Sequence, residues 1–195
     1  MGCIAEDRSA CPYPRDVSVR LTVCPDPMTA VTRTTDEEAL RDLNLYLYDD
    51  DGEIVLHRYQ SSSTLRFTSL PGNYRMRIAA NMGRDLGENP ASEDFTVTHA
   101  DEYDTLPMSY EGDVTITSSS GGILTLPVVE VQRVVTKVSY DIAVKPADIE
   151  LRSVQLCSVP RAVSVFDVAA RPSDAPDDYT DCPESGISGQ HISGN

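Results

Sequence analysis

The chain has 195 residues, enough for one large domain or two small ones, and it carries 31 acidic against 16 basic side chains, a formal net charge of −15. That balance excludes a nucleic-acid-binding protein, because phosphate contact needs a basic face, and it excludes a polybasic grip on anionic lipid. No run approaches the ~18 apolar residues of a membrane-spanning helix, so membrane attachment would have to come through a covalent lipid.

The first element in chain order is a tether. Cys3 follows Gly2 and precedes Ile-Ala-Glu-Asp-Arg-Ser, where a thiol has no core to join. A Gly-Cys pair there reads as the end of a bacterial lipoprotein signal, with Cys3 the acylated first residue of the mature protein and the hydrophobic signal segment expected upstream. Residues 1–15 form the anchored tether. Setting Cys3 aside leaves Cys11, Cys24, Cys157 and Cys182 of the five cysteines. An even set suits an oxidising, extracytoplasmic compartment and allows three pairings. The local one, Cys11 with Cys24 and Cys157 with Cys182, is expected, with a free buried thiol as the alternative for Cys157.

Alternation at period two then runs through most of the chain. In Asp16–Val23 the residues Val17, Val19, Leu21 and Val23 share one face, and Pro25 and Pro27 end the strand. Met28–Thr35 is a Thr-rich linker, and Asp36–Asp42 is a helical turn with Thr35 as N-cap and Glu38 at capping-box spacing. Leu43–Tyr48 and Glu53–Tyr59 flank Asp49-Asp50-Asp51-Gly52, a hairpin signal in which Gly52 supplies a positive φ. Leu65–Leu70 leads through Pro71-Gly72, expected as a type II turn, into Tyr74–Ala80. Gly83–Glu93 is loop, and Asp94–Thr98, Asp113–Thr117 and Ile123–Leu126 are short strands. About seven strands with regular turn signals give an all-β sandwich over 16–126.

A second unit is expected from Pro127. Val128–Val144 alternates over its latter part, and Ile149–Cys157 and Arg161–Val168 add two strands. These are too few to close a sandwich, so residues 127–170 read as the start of a second, incomplete β-sandwich domain. Residues 171–195, rich in Pro, Ser, Gly and Asp, read as loop or disordered tail.

Catalytic and metal signatures are missing. Counting back from Gly52, the first position of a calcium loop is Leu47, which cannot ligate, so a hairpin accounts for the aspartates better. His57, His99 and His191 lack ligand-spaced companions. Gly186-Ile187-Ser188-Gly189 has Gln190 where a nucleophile elbow needs its last glycine. The expectation is a non-enzymatic protein with no cofactor and no metal.

Read together, Cys3-Ile-Ala-Glu-Asp-Arg-Ser-Ala-Cys11-Pro12 resembles the mature start of the fimbrillin-associated anchor lipoproteins of Bacteroidales minor fimbriae. Leu45-Tyr46-Leu47-Tyr48-Asp49 with Asp51-Gly52 is similar to their hairpin, and Leu70-Pro71-Gly72-Asn73-Tyr74 and Ala80-Asn81 to the entry and end of their next strand. Leu106-Pro107-Met108-Ser109 and Gln132–Val138 resemble the segments that introduce the second domain of fimbrillins, although Thr136 stands where alanine is common. The resemblance spans roughly residues 3–168. It implies transthyretin-like Greek-key β-sandwiches, fimbrillin (pilin) subunits as partners, β-strand complementation between subunits, and an outer-membrane lipid anchor that fixes a fimbria and limits its assembly. In related shaft pilins an arginine-specific protease cuts after an early strand, which makes Arg33 the protease-sensitive candidate of this chain. The alternatives are a surface lipoprotein that binds a glycan or host protein on the same scaffold, or a shaft or tip fimbrillin.

Overall fold

The computed structural model describes residues 15–27, 39–98, 105–118, 121–135, 140–143, 154–167, 179–181 and 191–194. Strands dominate, and among the described residues the helical structure is confined to short 3-10 segments such as Ser92–Phe95. The main strands are β1 (Val17–Pro25), β2 (Leu43–Tyr48), β3 (Ile54–Gln60), β4 (Thr64–Ser69), β5 (Gly72–Ala80), β6 (Thr96–Thr98), β7 (Met108–Ile116), β8 (Leu124–Thr125) and β9 (Val129–Arg133).

The fold is an all-β sandwich made by one curled sheet. Antiparallel β3-β2-β5-β7 forms one wall. The other is β4-β1, with β8 and β9 running parallel to β1 on its far side. Strand β9 turns the corner: Val129–Val131 pair with β1, and Gln132 and Arg133 pair with β7. Corner strands of this kind let one sheet fold over itself. Consecutive strands pass between the walls at β1–β2, β3–β4, β4–β5 and β7–β8, a Greek-key connectivity.

The core lies between the walls, and the alternation puts it there. Val17, Val19, Leu21 and Val23 of β1 meet Leu43, Leu45 and Leu47 of β2, Leu65 and Phe67 of β4, and Met76 and Ile78 of β5. Because side chains alternate faces, these strands bury one set and leave the other outward. A second apolar cluster covers the outer side of β2 and β5, where Tyr46, Ala79, Leu86, Val97, Val134 and Val165 are buried together.

Several segments differ from expectation. Residues 39–42 are not helical, because the Asp42 carboxylate is committed to the backbone of a distant loop. Gly72 is not among the residues with positive φ, so Pro71-Gly72 is not a type II turn. It opens β5 instead, and a Cβ there would lie 3.1 Å from the Tyr74 hydroxyl, so the glycine makes room for the ring. The main sheet also runs past the expected boundary at 126, since Val129 and Val131 complete the core beside β1. Further on, β10 (Tyr140–Ala143) pairs with β14 (His191–Gly194), β11 (Val159–Pro160) with β13 (Tyr179–Thr180), and β12 (Ala162–Ser164) with β6. The last pair returns the later chain to the outer face of the sandwich.

Candidate assembly surface

Strand β1 is bound on both sides. Six of its residues, Val17 to Thr22, are in register with Ser69 to Thr64 of β4, and on the other side Val19–Arg20 run beside β8 and Val23–Pro25 beside β9. Further bonds run from Val23 N to Ser63 O at 2.8 Å and from Leu126 N to Arg20 O at 2.9 Å. Its four inward side chains are at most 3% exposed. Each such aliphatic burial contributes roughly 1.5–3 kcal/mol. A sandwich lacking this strand would present an apolar trough with four sockets, walled by unpaired backbone of β4 on one side and of β8 and β9 on the other. Extended segments of another chain fill such troughs.

Among the described residues β3 and β4 end the sheet, each paired on one side only, and the short β8 pairs with β1 alone. In β3, Leu56 faces Leu47 and Ile54 faces Tyr48, so Val55 is an extra, bulged residue, 49% exposed. A bulge twists an edge away from further pairing.

The outer side of β2 carries a polar ladder. Asp42, Asn44 and Tyr46 point the same way, and each holds a successive part of loop 82–87. The Asp42 carboxylate accepts from Met82 N and Gly83 N, both at 3.0 Å. Asn44 Oδ1 accepts from Leu86 N at 2.9 Å and its Nδ2 donates to Arg84 O at 3.0 Å. The Tyr46 hydroxyl donates to Gly87 O at 2.9 Å. Asn81, at φ 60, donates from Nδ2 to Ala39 O and Leu106 O and accepts from Arg41 N. Burial first, and then Tyr48, Asp85 and Asp94, push the Tyr46 phenol well above its ordinary value. Its ring stacks on His57 at 4.6 Å and meets Phe95 edge-on at 5.5 Å. His57 Nε2 lies 3.4 Å from Asp85 Oδ1. None of these roles was assigned from sequence. The signal was there in Asp42-x-Asn44-x-Tyr46, polar residues interleaved with the inward leucines of one strand.

Further along this wall, Glu111 of β7 pairs with both Arg75 and Arg77 of β5. The Arg77 guanidinium sits between the rings of Tyr48 and Phe166, 5.2 and 5.1 Å from their centroids. Beside it opens a cleft of about 610 Å³ lined by Tyr48, Asp50, Arg75, Asp113 and Thr115. Asp49 is spent on the hairpin itself, since its Oδ1 accepts from Asp51 N and Glu53 N, and Gly52 has the expected positive φ of 82°. Among the described residues no group of three His, Cys, Asp or Glu could hold a metal ion.

Of the sites expected from sequence, Cys3, Cys11, Arg33 and Cys182 lie outside the described residues, as does His99. Cys24, at the β9 side of β1, holds a free thiol here, without the expected bridge to Cys11. Burial, then Glu130 and Asp26, raise its pKa. Cys157 is exposed, its Sγ 3.9 Å from Gln155 Oε1. Among the described residues no helix is long and apolar enough to cross a membrane.

No protein-family model matches the chain, and no curated protein sequence does. Solved structures do. The tip fimbrial protein Mfa3 of Porphyromonas gingivalis, in a C-terminally truncated form, matches with a TM-score of 0.58 at 20% identity, over 92% of this chain and 68% of that one. A candidate adhesin of Bacteroides ovatus matches at 0.51 and 14% identity, over 99% and 69%. A candidate polysaccharide-binding protein of Bacteroides thetaiotaomicron matches at 0.50 and 10%, over 91% and 64%. The chain therefore has a fold found among fimbrial and adhesin-type proteins of Bacteroidales.

Proposed function

We propose that this chain is a non-enzymatic surface subunit of a fimbria, held to the outer membrane by lipid on Cys3 and joined to fimbrillin subunits by β-strand complementation. Its role in this reading is to anchor the fibre and limit its assembly. The observation that carries the proposal is the position of β1. It lies early in the chain, is paired along both sides, and fills four apolar sockets, on a fold shared with a tip fimbrial protein. A strand so placed can be kept or exchanged as a unit, because main-chain bonds give affinity and alternate side chains set register. The polar stretch after Cys3 supports a lipidated tether, and two or more acyl chains would hold it stably.

The test is metabolic labelling of the precursor in its own cell. Palmitate enters the wild-type protein and not Cys3→Ser, and the unlabelled variant is lost from the outer membrane together with its fibres. Equal labelling of both would remove the lipid anchor from the proposal. The cysteine pairs belong to the same reading: non-reducing peptide mapping of exported protein returns Cys11 linked to Cys24 and Cys157 linked to Cys182. Recovery of Cys24 fully alkylated, as the thiol seen here, would argue against the first bridge.

A further inference from the structure

The outer face of β4-β1-β8 differs in chemistry from the rest of this acidic chain. Its cross-strand rows are Ser18–Thr68, Arg20–Arg66 and Thr22–Thr64, and the parallel neighbour of Arg20 is Thr125 of β8. Two arginines stand directly opposite each other, an arrangement that destabilises a sheet unless something neutralises it. Neither has an ion pair or side-chain hydrogen bond among the described residues, and Arg20 Nε is buried with no hydrogen-bond partner. Contrast the opposite wall, where Arg75 and Arg77 share Glu111 and Arg84 meets Asp94. Among the described residues of these strands and their ends, carboxylates lie beyond these rows, at Asp16 before β1, at Asp26 after it and at Glu130 opposite Cys24.

Directly opposed residues have Cα atoms about 5 Å apart, so the two guanidinium forks can converge on one planar anion. The flanking side chains are hydroxyls, which both donate and accept, as sugar hydroxyls do. No aromatic or aliphatic side chain shares these rows, so a neutral sugar has nothing to stack on. A dense polyanion is disfavoured by the chain's net charge of −15. An isolated carboxylate is not, since exposed charges are screened beyond about 8 Å at physiological ionic strength.

We propose that this face binds an acidic sugar residue, uronic or sialic in type, within an otherwise mostly neutral surface polysaccharide, with its carboxylate between Arg20 and Arg66 and its hydroxyls on the Thr/Ser rows. The site is independent of the anchoring role.

The experiment is an amide NMR titration of the whole chain with sialyllactose, a neutral disaccharide carrying a single carboxylate-bearing sugar, its methyl ester, and sodium acetate. The acidic oligosaccharide shifts the amides of Arg20, Arg66 and Thr125. Exposed Arg66→Gln weakens binding at least tenfold with an otherwise unchanged spectrum, and Arg75→Gln on the opposite wall leaves it unaltered. The methyl ester binds at least tenfold more weakly than the acid. Equal binding of acid and ester, or no effect of Arg66→Gln, overturns the proposal. So does acetate binding as tightly as the oligosaccharide, which would mark a plain anion site. Self-association at low salt that Arg66→Gln abolishes also overturns it, because the occupant would then be an acidic surface of a second copy.

Discussion

Tyr46 is fully buried on the outer side of β2, and its phenol is harder to ionise than in water, chiefly because burial disfavours the anion. The unfolded chain therefore releases this proton near the ordinary value of about 10, while the folded one keeps it to higher pH. Above that value the native state binds more protons, so stability falls as pH rises, by about 1.4 kcal/mol per pH unit from this group. Tyr46→Phe lacks this pH-dependent contribution. It is less stable than wild type at pH 8 by about 1 kcal/mol, for the lost bond to Gly87 O, and declines less steeply above pH 10. Urea midpoints at pH 8, 10 and 11 read both effects; parallel declines would show that Tyr46 ionises freely. Asn81 is the other critical single residue. Asn81→Ala loses three hydrogen bonds and puts an alanine at φ 60, and is expected to cost about 2–4 kcal/mol. Asn81→Gly loses the same bonds without the backbone penalty, so it should unfold at higher urea than the alanine variant.

At the scale of elements, β1 is integral to the sandwich core. Leu21 is fully buried between the walls, and Leu21→Ala is expected to cost about 2–5 kcal/mol in global unfolding. An exposed position on the same strand, Ser18→Ala, should stay within about 0.5 kcal/mol of wild type. Similar urea midpoints for the two variants would mean that β1 is peripheral to folding. Strand β7 carries a different constraint. The Tyr110 ring lies across Gly112, so a Cβ at 112 meets the tyrosine hydroxyl, and Tyr74 covers Gly72 in the same manner two strand positions apart. Gly112→Val is therefore expected to destabilise by about 1–3 kcal/mol through overpacking, in spite of valine's preference for strands. Pairing it with Tyr110→Ala should recover part of that loss.

For the whole molecule, the anchoring role proposed above turns on whether the chain stays continuous between Cys3 and the sandwich. Arg33 falls between β1 and β2 in sequence. A cut there would leave the body joined to a lipid on Cys3 only through the non-covalent pairing of β1, since Cys11 and Cys24 both lie upstream of the break. Such a joint is unsuited to a base under tension. We expect Arg33 to remain uncut in surface-extracted protein, with N-terminal sequencing returning no fragment that starts at Thr34. A dominant Thr34 start would replace the anchor role with that of a shaft or tip subunit.

The inward side of the sandwich was legible from sequence because a strand's period is two and its core is apolar. Val17–Val23, Leu43–Leu47 and Met76–Ala80 announce their buried faces residue by residue, and Asp49–Gly52 announces its turn. The order of strands was not legible. Nothing local in Val129–Arg133 says that it turns the corner between walls, since parallel pairing with β1 joins residues about a hundred positions apart. Nor does composition reveal that Asp42, Asn44 and Tyr46 face a loop rather than water. Polar side chains at outward positions look solvated until Leu86, Val97 and Val165 close over them. The Arg20–Arg66 opposition follows the same logic. Each arginine is an ordinary outward residue of an alternating strand, and only the register of β1 against β4 brings the two charges face to face. Local periodicity fixes which side of a strand is apolar, whereas contact between remote strands decides which polar groups are neighbours.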